Sequence, residues 1–76
     1  MDGWTAETNE LRLRIEQWPE GFYLFVFRKS DTVSFRDELQ DTLAIAMAAA
    51  REDFGVAPEA WRSERWGGAA LTGAFE

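Results

Sequence analysis

Residues 11–16 alternate strictly: Leu11, Leu13 and Ile15 are apolar, and Arg12, Arg14 and Glu16 between them are charged. Successive side chains of a β-strand point to opposite faces, so the pattern is that of a strand with one oily side and one wet side. The bend Trp18-Pro19-Glu20-Gly21 then turns the chain into Phe22-Tyr23-Leu24-Phe25-Val26-Phe27, which is apolar at every position. Together the segments read as an antiparallel hairpin. Pro19 cannot take the positive φ that a type I′ turn needs, but it suits position i+1 of a type I turn. With Gly21 as a left-handed bulge residue, Ile15 falls opposite Phe25 and Leu13 opposite Phe27. This register predicts a core face of Leu11, Leu13, Ile15, Tyr23, Phe25 and Phe27. The outer face is then Arg12, Arg14, Glu16, Trp18, Phe22, Leu24, Val26 and Arg28.

Downstream the period lengthens. Phe35, Leu39, Leu43, Met47, Ala50 and Phe54 recur at three or four, Ser34 and Asp37 have capping-box spacing, and Gly55 suits a helix C-terminus. The spacing predicts a helix over 35–54. Asp37 and Asp41, one turn apart in such a helix, have the chemistry to hold a hydrated Mg²⁺, but acids in a first turn are already favoured by the helix dipole. They are read as dipole partners, and no metal or cofactor is expected. Pro58 suits the start of a short helical turn. Residues 1–10 show Trp4 and Ala6 among polar neighbours and are expected to be mobile, and residues 67–76 are expected to be a poorly ordered tail. The fold class is therefore α+β, one domain over residues 11–66. It comprises an antiparallel hairpin, a third short strand drawn from residues 32–34 or 61–66, and one long amphipathic helix.

Composition narrows the chemistry. The chain has 76 residues with no Cys and no His, and 8 basic against 14 acidic residues give a net charge of −6. Without thiol or imidazole there is no Ser-His-Asp or Cys nucleophile and no Cys/His zinc site, so an enzyme is not expected. The acidic balance argues against nucleic acid as a partner. The N-terminus lacks the basic and apolar regions of a signal peptide, and the apolar run at 43–50 is too short to span a bilayer. A cytoplasmic protein is expected, in keeping with the lack of cysteine. The excess of Arg over its single Lys (Lys29) fits a high-GC bacterial genome.

The run from Gly21-Phe22-Tyr23-Leu24 through Asp31-Thr32, the Ala-rich helix, and Asp53-Phe54-Gly55-Val56 ahead of Pro58 and Trp61 resembles a group of small bacterial strand–strand–helix proteins. In that group the helix ends in Phe-Gly and a Trp follows. The resemblance implies a fold, carries no activity and assigns no functional residue.

The outer hairpin face is the candidate site. Trp18, Phe22, Leu24 and Val26 would leave an apolar patch, and monomers tend to avoid such patches. Arg12 would lie opposite Arg28 with Arg14 beside them, a like-charge cluster that needs neutralising. Trp61 and Trp66 are candidates to extend the surface, and they suit a purely structural role as well. The expected function is a non-enzymatic interaction protein that binds a protein partner or a second copy of itself, a homodimer being the simplest form. An alternative is a single-stranded RNA-binding module using Arg12, Arg14 and Arg28. Another is an immunity- or antitoxin-like neutraliser of a basic partner.

Overall fold

The computed structural model describes residues 2–65. Among these, the chain forms strands β1 (Asp2–Glu7), β2 (Leu11–Trp18), β3 (Gly21–Arg28), β4 (Arg36–Gln40) and β5 (Arg62–Arg65), with helix α1 (Leu43–Phe54) and a 3-10 turn at Pro58–Ala60. The strands make one antiparallel sheet in the order β4-β3-β2-β1-β5. The α+β class and the hairpin hold, but the sheet has five strands rather than two or three.

The register of the hairpin differs from the expectation by one residue. Leu13 pairs with Val26 and Ile15 with Leu24, and Trp18 pairs with Gly21 across a two-residue Pro19-Glu20 turn. Glu20 has a negative φ, so the turn closes without the bulge assigned to Gly21. Gly21 has a φ of +149° and serves another need: a Cβ there would lie 2.6 Å from the Gln40 carbonyl oxygen of β4. Because side chains alternate, the one-residue slip moves all of β3 to the other parity. Leu24 (1% exposed) and Val26 (0%) are core residues, and Phe22 packs against that core. Tyr23, Phe25 and Phe27 lie on the opposite face, with Arg12, Arg14, Glu16 and Trp18. Leu13 and Phe27 are therefore on different faces, contrary to the expected register.

Residues 2–7, expected to be mobile, form a strand inside the sheet between β2 and β5. Trp4 and Ala6 are two apart, and both point to the core side, where Ala6 is 5% exposed. A Thr8 turn links β1 to β2: Thr8 N–H donates to the Leu11 carbonyl at 2.9 Å, and Thr8 Oγ1 accepts from Leu11 N–H at 3.0 Å.

The helix begins at Leu43, eight residues later than the spacing predicted. Residues 36–40 instead pair with β3, supplying partners to backbone groups that would otherwise face an open sheet edge. The cap is Thr42 rather than Ser34: Thr42 is extended (φ −136°, ψ 159°) and its hydroxyl accepts from Ile45 N–H at 3.1 Å. Asp37 lies in β4 and Asp41 precedes the helix, so the expected one-turn spacing of these carboxylates does not arise. The other end is as read. Gly55 takes a left-handed φ of 71° and donates to Arg51 O at 3.0 Å, while Val56 N–H reaches back to Ala50 O. Ala46 and Ala50, both 0% exposed, seat the helix on the sheet over Leu13, Ile15, Leu24 and Val26. Residues 32–34 form a loop and not a strand, whereas 62–65, the other candidate, do form one. No described helix is long and apolar enough to cross a membrane.

Candidate docking face

With α1 on one side, the opposite face of the sheet carries no covering layer among the described residues. Following the register, its central row reads Arg62, Thr5, Arg14, Phe25, Asp37 from β5 to β4. One flanking row is Glu64, Gly3, Glu16, Tyr23, Leu39, and the other is Glu7, Arg12, Phe27. Trp18 ends β2 at the hairpin turn. The face thus has a charged half over β5, β1 and β2 and an aromatic half over β3 and β4.

The aromatic half follows from period-two spacing. Tyr23, Phe25 and Phe27 stand in line on β3; Tyr23 and Phe25 stack at 5.9 Å and 21°. Trp18 meets Tyr23 edge-on at 6.3 Å and 86°. These rings are half-buried by one another, Trp18 is 39% exposed and Leu39 beside Tyr23 is 48% exposed.

Glu16 organises the boundary between the halves. It is 4% exposed, and its Oε1 accepts from Trp18 Nε1 at 2.9 Å while Oε2 lies 3.8 Å from Arg14 Nε. A buried carboxylate held this way orients the indole and supplies the counter-charge for Arg14. Burial pushes the Arg14 guanidinium down from its ordinary value against the opposing pull of Glu16 and Glu64, with neighbouring Arg12 acting in the same direction as burial. Arg12 lies 5.0 Å over the Phe27 ring and donates to the Asp31 carbonyl at 2.5 Å. That bond draws the 29–35 loop across the Phe27 end of the face. Residues 32–34 form a wall there, and a groove of about 540 Å³ runs between this wall and Trp18 over Phe25 and Phe27. A second groove, of about 620 Å³, lies over the charged half between Glu7, Arg12, Arg62 and Glu64.

Of the residues proposed from sequence, Trp18, Arg12 and Arg14 share this face. Phe22, Leu24 and Val26 do not; they lie under the helix because of the register change. Arg28 pairs with Leu11 rather than Arg12, and its guanidinium sits 4.7 Å over Phe35, so the expected like-charge pair is not formed. Trp61 packs against the core cluster, and Trp66 lies outside the described residues. Sequence reasoning missed Tyr23, Phe25, Phe27 and Leu39. One signal pointed to them: Tyr23 carries a polar tip that favours solvent, and Phe25 and Phe27 share its parity, leaving aliphatic Leu24 and Val26 for the core.

Tyr23 gives the face a spectroscopic handle, being the single tyrosine. Its hydroxyl donates to Glu20 Oε2 at 3.0 Å, and its pKa is raised, first by that hydrogen bond, then by desolvation and the charges of Glu20 and Asp37. A raised folded-state pKa means a stabilising contribution present below the unfolded value and lost as pH rises through the folded one. Absorbance titration is expected to place ionisation above the ordinary ~10, and Glu20→Gln is expected to bring it back down. A midpoint at or below the ordinary value would contradict the Tyr23–Glu20 contact.

Among the described residues no group of three or more carboxylates is arranged to hold a metal ion. Compared with protein families, characterised proteins and solved structures, the chain matches none.

Proposed function

We propose that this chain is a non-enzymatic protein-binding module that docks a protein on the uncovered face of its sheet. The observation that carries the reading is the aromatic stripe of Tyr23, Phe25 and Phe27, extended by Trp18 and Leu39, on a face with no second layer among the described residues. Contiguous apolar patches of this kind mark interaction surfaces on small proteins, and aromatic side chains anchored by arginine are the residue types that dominate binding energy. The sheet edges are poorer candidates. β4 carries Arg36, Asp37 and Glu38, and β5 carries Arg62 and Glu64, charges that discourage strand addition.

Charge weighs against the RNA reading on this same face. Arg12, Arg14 and Arg62 are outnumbered by Glu7, Glu16, Glu64 and Asp37. Arg14 has Glu16 as its counter-charge, so the face offers phosphate little net positive charge.

Three acid substitutions test the reading. Phe25→Glu and Leu39→Glu on the face are each expected to weaken binding to any protein, a second copy included, by about 30-fold or more. Ile45→Glu, at a 47% exposed position on the helix, is expected to leave binding intact. Binding left unweakened by Phe25→Glu would contradict the reading.

A further inference from the structure

We infer that the occupant of this face is a second copy of the chain, docked about a two-fold axis that crosses the strands; the inference rests on the docking reading above. Three observations point to self-pairing. The first is charge. The face is of mixed sign and nearly balanced, whereas the chain as a whole is at −6. A uniformly basic or acidic partner would meet like charges over part of such a face. A two-fold along the Arg14–Phe25 row exchanges the flanking rows, setting Arg12 of one copy over Glu16 of the other and Phe27 over Tyr23, while Arg62, Arg14 and Asp37 of the central row each face their own counterpart. Each Arg14, near the axis, keeps its own Glu16 as counter-ion.

The second is area. The molecule is a slab of 32 × 28 × 21 Å, and one broad side of that size is comparable with the roughly 800 Å² per partner that a standard interface buries.

The third is shape, and it selects the axis. Residues 32–34 line the groove at the Phe27 end of the face, with Val33 75% exposed, and Trp18 lines it at the hairpin-turn end. An axis parallel to the strands would bring the two walls together and hold the sheets apart. An axis across the strands seats Val33 of each copy against Trp18 of its partner and lets the Phe25 rings approach at the centre. The contact is isologous and closed, so it stops at two copies.

Sedimentation equilibrium of the full chain, followed over a rising concentration series, is the first arm of the test. The wild type is expected to approach twice 8.7 kDa. Phe25→Glu is expected to weaken association by about 30-fold or more while its far-ultraviolet circular dichroism is unchanged. The second arm uses the absence of native cysteine. Val33→Cys carrying a nitroxide is mixed with isotopically labelled wild type, and the Trp18 indole signal of the labelled copy is expected to broaden. A wild type that stays monomeric overturns the second-copy inference alone, leaving the docking reading to its own three substitutions. A dimer untouched by Phe25→Glu overturns both. Broadening confined to the 32–34 loop, with Trp18 sharp, overturns the cross-strand axis.

Discussion

Gly21→Ala is expected to destabilise this protein by about 3 kcal/mol, seen as a large drop in the urea midpoint. Two effects add. Gly21 has a φ of +149°, a conformation that side-chain-bearing L-residues rarely adopt, and a Cβ there would approach the Gln40 carbonyl oxygen to 2.6 Å and Leu39 Cδ1 to 3.0 Å. The Leu39 methyl can rotate aside, but the Gln40 oxygen is backbone of β4 and paired with β3 through Phe22. Relief therefore requires β4 to separate from the hairpin at its last residues, just before the Thr42 cap that starts the helix. A chain of this length holds only ~4–11 kcal/mol in total at the usual stability per residue, so the loss is a substantial share. A change below about 0.5 kcal/mol, the size of an indifferent surface substitution, would mean that β4 does not close against Gly21.

The same glycine shows where the sequence could be read and where it could not. Strand β2 declared its faces because charged and apolar residues alternate, and Leu13, Ile15, Arg12 and Arg14 stand where that alternation puts them. Strand β3 declared its own only through the Tyr23 hydroxyl, because residues 22–27 are otherwise apolar at both parities and either face would satisfy burial. The decision passed to the turn, and a glycine after Pro-Glu fits two roles, bulge residue or close-approach residue. The second depends on β4, which the period-four spacing of Phe35, Leu39 and Leu43 disguised as helix.

Partial legibility has the same cause elsewhere. Gly55 and Pro58 act through local backbone geometry, and both stand at the element boundaries expected of them. Trp4 and Ala6 act through neighbours 11 and 7 positions away, pairing with Ile15 and Leu13, and a segment with two inward residues gives little period by itself. The candidate site was half legible for the same reason: Trp18, Arg12 and Arg14 follow from β2 alone, whereas Tyr23, Phe25, Phe27 and Leu39 depend on pairings across the sheet.

The division of β3 into Leu24 and Val26 beneath the helix, and Tyr23, Phe25 and Phe27 outside, carries both the docking face and its occupant. Leu24→Ala and Phe25→Ala, compared by urea unfolding at low protein concentration, test it with adjacent residues. Leu24 is 1% exposed in the cluster with Ile15, Val26, Ala46 and Ala50, so its truncation is expected to cost about 2–5 kcal/mol, the range for a buried leucine that leaves a cavity. Phe25 is half-buried among rings on the open face, and its loss is expected to cost under about 1.5 kcal/mol, on the scale of an aromatic pair. A larger loss for Phe25→Ala than for Leu24→Ala would put the phenylalanines in the core and contradict the account.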